Sequence, residues 1–247
     1  MAAPSPAPLL APLADGLWST EHDLFMPGGL HFRGRMLVVR LADGGLLLHS
    51  PVPVDDALAA ALAELGPVRV LVAPNNLHHL HLGPVQARYP DAVTWAAPGL
   101  GAKRPELTID HVLGVGTPPW ASELEPHFIA GIPWMDETVF FHRPTGTLVV
   151  TDLFFHIHGA ELANLRSRFF FWIYGVLDRP RQSPIVRLQA KDRAAAGRSA
   201  QALLGLPVQR LVPAHGRVVE DRAAAVLREV LATQLSWAPA ALEVQSA

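Results

Sequence analysis

Residues 75–83 read Asn75-Asn76-Leu77-His78-His79-Leu80-His81-Leu82-Gly83, directly after the apolar run Val68 to Pro74 (VRVLVAP). The run has the length and branching of a buried strand, so the histidines sit on a loop at its end. Binding and catalytic groups gather on loops that a rigid strand holds in place. His78 and His81, three residues apart, can face one centre, and neutral imidazole is a common ligand for zinc, iron and manganese.

The surrounding pattern is strand-rich, then alternating. Arg35 to Ala42 and Gly45 to Val52 flank Asp43-Gly44, a hairpin signal. Asp55-Asp56 opens an alanine-leucine helix to Leu65, closed by Gly66-Pro67. A short helix to Tyr89 and a strand over Val93 to Ala97 follow the histidine loop. His127 to Pro133, Glu137 to Arg143 and Thr147 to Phe155 read as strands, the last two joined at Pro144-Thr145-Gly146. Asp192 to Leu204 reads as a helix, Val208 to Pro213 as a strand and Asp221 to Leu235 as a closing helix. The stretch 156–190 is arginine-rich and aromatic and reads as a lid.

Two later strand ends carry further candidates. Asp152 ends a run of apolar and β-branched residues, where a carboxylate needs a partner. His215 follows Leu211-Val212-Pro213-Ala214 and precedes Gly216. Each alone also fits a structural role, a cap or salt bridge for Asp152 and a packed ring for His215.

Together these segments resemble the metallo-β-lactamase superfamily, in which an HxHxDHxG motif, a strand-end aspartate and a final histidine before glycine come in this order. Asn76 to Gly83, Thr151-Asp152-Leu153-Phe154 and Pro213-Ala214-His215-Gly216 occupy those places. The resemblance implies an αββα sandwich, two mixed sheets flanked by helices, over residues 11–240, with 1–10 as a disordered tail. It implies His78, His81, Asp152 and His215 as metal ligands. Asn76 stands where the first motif histidine belongs, Leu80 where the aspartate belongs, and the histidine expected just before the Thr138-Val139 strand falls near Trp134. Ser50-Pro51-Val52 lies where the family has an aspartate-containing turn. One divalent metal is therefore expected rather than two: zinc first, iron or manganese as alternatives, and a metal-free chain as the remaining case. Asn76, His79 and Glu137 are additional ligand candidates, with His79 able to replace His81. Asp152 and Glu137 are the catalytic candidates, Asp136 or Glu137 serving as base. The chain also looks like a branch known as a domain of unknown function (DUF4336), with Glu137-Thr138-Val139-Phe140-Phe141-His142-Arg143-Pro144 and Thr151-Asp152 as its features.

Composition narrows the rest. The chain has 247 residues, twelve histidines, no cysteine and a formal net charge of −2. Thiolate zinc sites, iron–sulfur clusters, disulfides and a cysteine nucleophile are excluded. The balance of charge gives no support for nucleic-acid binding, and Arg168 to Leu177, the most apolar later run, is too short for a bilayer. A cytoplasmic protein acting on a small-molecule substrate, with no membrane or nucleic-acid partner, is expected. Arg179, Arg181, Arg187, Lys191, Arg193 and Arg198 form either a solvated face or a dock for an anionic substrate. Two functions remain open: a metal-dependent hydrolase-like enzyme, or a non-catalytic descendant of the fold that binds a ligand or partner.

Overall fold

The computed structural model describes residues 9–238. Seven strands form the first sheet in sequential order: β1 (Ala11–Ala14), β2 (Leu17–Met26), β3 (Leu30–Arg40), β4 (Leu46–His49), β5 (Val68–Ala73), β6 (Val93–Ala96) and β7 (His111–Val112). The second holds β8 (Leu124–Phe128), β9 (Thr138–His142), β10 (Thr147–Val150) and β11 (Arg210–Pro213), ordered β11-β10-β9-β8. Both are mixed. β4–β7 run parallel, as do β10 and β11, and the remaining pairs are antiparallel.

Strand alternation builds three apolar layers. Leu37, Val39, Leu47 and Val72 of the first sheet meet Phe140, Val149 and Val212 of the second. Met36, Val38, Leu48 and Leu71, on the opposite face, pack against α1 (Asp56–Leu65) and α2 (Leu82–Arg88). α3 (Leu100–Lys103) adds Leu100 to that layer. Phe141, Leu148 and Leu211 pack against α6 (Arg193–Leu204) and α7 (Ala223–Val230). The expected αββα sandwich is the observed fold. α4 (Leu165–Ile173) and α5 (Pro184–Gln189) lie in the stretch read as a lid, and α8 (Ala232–Leu235) closes the described chain.

Local chemistry sets the boundaries. The Asp55 carboxylate accepts from Leu58 N at 2.8 Å and caps α1, and Asp192 does the same for α6 from Ala195 N at 2.9 Å. Gly131, with φ +83°, approaches Asp192 O so closely that a Cβ would lie 2.0 Å from it.

Several elements differ from the sequence reading. β1 and β2 occupy a segment that gave no strand signal, because the outer half of β2 alternates half-buried and exposed residues and is mostly polar. The strand expected at His127 to Pro133 is β8, ending at Phe128; Ile129 onward turns to bring Glu137 into place. β10 stops at Val150, so Asp152 lies beyond the ladder. The closing helix breaks at Leu231 into α7 and α8. Residues 1–8 of the expected tail, and 239–240 at the far end of the expected domain, lie outside the described residues.

Candidate metal centre

Four strands carry the site by their C-terminal ends. Ser50 follows β4, Asn75 to His81 follow β5, Asp152 follows β10 and His215 follows β11. Because β4 and β5 are parallel, and β10 and β11 are parallel, each pair delivers its ends to one edge of its sheet. Face-to-face packing of the sheets brings the edges together.

There His78, Asp152 and His215 each present one donor atom, and the three atoms lie within 4.8 Å of one another. His78 Nε2 is 3.2 Å from His215 Nε2 and 3.3 Å from Asp152 Oδ2, and His215 Nε2 is 3.8 Å from Asp152 Oδ1. All three side chains are largely shielded from solvent.

Each donor is aimed by a partner distant in sequence. His215 Nδ1 donates to the Arg33 carbonyl at 2.8 Å, which leaves a lone pair on Nε2 of the neutral ring. His78 Nδ1 lies 2.6 Å from Ser50 Oγ. Asn75 is the hub: its Oδ1 accepts from Leu77 N and His78 N, both at 2.8 Å, and its Nδ2 donates to Asp152 Oδ2 at 2.7 Å and to Thr151 Oγ1 at 2.9 Å. Arg35 donates to the Pro213 carbonyl and pairs with Glu21, fixing the end of β11. Phe155 stacks on the His215 ring at 5.4 Å and Phe32 meets it edge-on at 5.1 Å, covering its apolar faces. Ser50 and Asp136 hold left-handed φ of 57° and 49°, a local strain of about 1–3 kcal/mol each.

The electrostatics follow from burial and contact. Burial opposes charge on His78, but the Asp152 carboxylate outweighs it and the imidazole pKa ends raised. Burial also opposes charge on Asp152, yet His78, His215 and Asn75 bring it down to about 2. His215 is pushed down to about 4 by burial and by the neighbouring His78. The Asp152 carboxylate thus favours a positive charge on the His78 imidazole beside it, while His215 stays a neutral donor.

The donor set fits a divalent cation. Two nitrogens each about 2.0–2.1 Å from one tetrahedral ion are about 3.3 Å apart, close to the 3.2 Å between the two Nε2 atoms. Two imidazoles and a carboxylate suit zinc, iron or manganese.

The other candidates fall elsewhere. His81 is outside the cluster: its ring meets His22 edge-on at 5.1 Å, and its buried Nε2 has no partner among the described residues. His79 Nδ1 receives Arg104 Nη1 at 2.8 Å; burial and the adjacent Lys103 and Arg104 push its pKa down to about 4. The Asn76 amide turns to Pro133 O and Asp136 Oδ2, each at 3.4 Å, against Gly99, where a Cβ would come within 2.7 Å of it.

Glu137 is turned onto the backbone after β10. Its Oε1 accepts from Thr151 N at 2.7 Å and its Oε2 from Asp152 N at 2.9 Å, so both oxygens hold the chain at the end of β10. It is fully buried, and burial with the nearby Asp152 pushes its carboxyl up to about 7. Sequence reasoning missed Asn75 and the role of Ser50. An asparagine beside a histidine loop is a visible signal, but its orientation is not.

A cavity of about 430 Å³ opens beside the cluster. Among the described residues that line it, Asp152 is the one carboxylate; Asp136 and Glu137 do not line it. None of the six basic residues between Arg179 and Arg198 lines it; Arg187 and Arg193 border a separate depression with Trp237. Of the aromatic run, Phe170, Phe171 and Tyr174 face the cavity while Phe169 and Trp172 are exposed. His156 and His158 contact each other at 3.1 Å, and His156 Nδ1 donates to the Arg217 carbonyl.

Comparison with known proteins agrees with this geometry. Residues 17–168 match the family profile described as "Domain of unknown function (DUF4336)". No curated protein matches by sequence. Among solved structures, the chain is similar to the DIM-1 metallo-β-lactamase exposed to ceftazidime, at 14% identity over 91% of this chain and 96% of that one, TM-score 0.62. It is similar to a metallo-β-lactamase from Hirschia baltica, at 15% identity over 94% and 98%, TM-score 0.61. It is also similar to the metallo-β-lactamase FIM-1 from Pseudomonas aeruginosa in a mono-zinc form, at 14% identity over 93% and 96%, TM-score 0.55. Identities this low show the fold alone. Among the described residues no helix is long and apolar enough to cross a membrane.

Proposed function

The chain belongs to the family described as a domain of unknown function (DUF4336) and has the metallo-β-lactamase fold, and on that premise we propose a metal-dependent, hydrolase-like protein with a one-ion site. The observation that carries this reading is the convergence of His78 Nε2, Asp152 and His215 Nε2 within 4.8 Å at the wall of a cavity. His78, Asp152 and His215 would hold the ion. A divalent ion there supplies Lewis acidity toward a carbonyl or phosphoryl oxygen and acidifies water. Zinc suits the set best, and one structural neighbour is a metallo-β-lactamase in a mono-zinc form.

The protein's own groups do the rest. The Arg33 carbonyl fixes the His215 tautomer and Ser50 fixes the His78 ring, so neither donor needs to reorganise. Asn75 occupies Asp152 Oδ2, leaving Oδ1 as the freer carboxylate oxygen. With Glu137 committed to backbone, the proton acceptors offered on the cavity wall are Asp152 and His81, whose pKa burial and the neighbouring His22 lower. The substrate is a small molecule.

The test is elemental analysis of protein purified without a histidine tag. Near one metal per chain is expected, lost in His78→Ala and Asp152→Asn variants that retain their circular dichroism. Absence of metal after loading with zinc, iron and manganese overturns the reading. In that case the non-catalytic binding module stands, supported by Leu80 in place of the family's motif aspartate.

A further inference from the structure

Many of the polar side chains on the cavity wall are already engaged. Arg35 is used by Glu21 and the Pro213 carbonyl, Ser50 by His78, and His79 by Arg104. Lys103 Nζ donates to Asn76 O at 2.6 Å, and Ser183 Oγ accepts from Ile185 N at 3.1 Å. Among the described residues, what stays open is the His78–Asp152–His215 cluster, the unpartnered His81 Nε2, the indole of Trp134, the hydroxyl of Tyr174 and the remaining N–H groups of Lys103.

The rest of the wall is hydrocarbon. The β2–β3 hairpin contributes Leu24, Met26, Leu30 and Phe32, and Phe170 and Phe171 come from α4 on another side. α4 is held there by its buried face: Ser167 Oγ accepts from His31 N at 2.7 Å, and Phe171 meets Phe32 edge-on at 5.2 Å. Between the β2–β3 hairpin and Phe170 and Phe171, a ligand with hydroxyls would bury them against carbon, at a cost these side chains do not repay. The volume of about 430 Å³ is that of a site for one small molecule.

We infer that the cavity takes an acyl compound, a carboxylic ester or the acid released from it, with its carboxyl carbon at the His78–Asp152–His215 end and an apolar tail between the β2–β3 hairpin and α4. This rests on the metal-dependent reading for the chemistry, but not for the tail. Hydrolysis would form a bond from water oxygen to the acyl carbon and break the acyl carbon–oxygen bond, with the proton passing to the departing alkoxide.

The test is calorimetric titration with straight-chain alkanoates of four to ten carbons, on protein as purified and after chelation. Affinity should rise about 2- to 4-fold per methylene, the range for progressive burial of CH₂ groups. Met26→Asp and Phe170→Asp, at positions 40% and 38% exposed and so tolerant of a charge, should flatten the series. An affinity independent of chain length, or an unchanged slope in both variants, overturns the inference. Chelation separates the two readings. A slope that survives in a chain that never held metal removes the metal centre and keeps the acyl site, whereas a metal-loaded chain with a flat series does the reverse.

Discussion

Replacing Glu137 by alanine should destabilise the protein by several kcal/mol and loosen the candidate metal centre together. The carboxylate accepts from the backbone N–H of Thr151 at 2.7 Å and of Asp152 at 2.9 Å, in a place with no solvent exposure. Alanine leaves two buried donors without partners. Each costs about 1–3 kcal/mol, so the loss is roughly 2–6 kcal/mol, before the void left by the missing atoms adds its share. Relief of the repulsion between this carboxyl and Asp152 acts the other way and places the outcome toward the lower half of that range. Asp152 is tethered through its own N–H, so metal affinity should fall about 10- to 100-fold. Equilibrium unfolding in urea at pH 8, where the Glu137 carboxyl is ionised, reads the first effect, and competition against a zinc chelator reads the second. Glu137→Gln keeps one acceptor and should fall between wild type and alanine. A change below about 0.5 kcal/mol for Glu137→Ala would refute the assignment of both oxygens to the backbone.

Metal content should be insensitive to His79→Ala and His81→Ala, since neither ring joins the three-donor cluster; elemental analysis showing loss of metal in either variant would return that histidine to the ligand set. Gly216→Ala should prevent normal folding or sharply lower the thermal midpoint, because φ there is +96° and a Cβ would lie 2.0 Å from His156 O; an unchanged melting curve would contradict the close approach. Buried His49, pushed down to about 3 by burial and by His78, stays neutral in the fold while the unfolded chain takes a proton near 6.5. Its stabilising contribution is therefore complete above pH 6.5 and lost as the pH falls toward 3. The loss is about 2 kcal/mol between pH 7.5 and 5, visible as a lowered urea midpoint that is smaller in His49→Gln.

The family and the sandwich were legible because the evidence for them is local and repeated. Asp43-Gly44 marks the β3–β4 hairpin, Asp55 and Gly66 bracket α1, and the apolar runs at Val68 and Leu148 are strands buried on both faces. β2 was not legible, because a strand with one face toward solvent and many polar residues carries almost no hydrophobic signal. Of the residues proposed for the site, the sequence could place His78, Asp152 and His215 at strand ends, but it could not say which rings converge. His78 and His215 are 137 positions apart. The direction of each is set by groups on other elements: Ser50 after β4, the Arg33 carbonyl on β3, Asn75 after β5. The same distance explains Glu137. From the sequence it is one more acid beside a strand, and only the packing of β9 against β10 turns its carboxylate onto two backbone donors and away from the cavity. Hydrophobic spacing along the chain determines the layers. The chemistry at their shared edge is decided by hydrogen bonds between segments that meet only after the two sheets have packed.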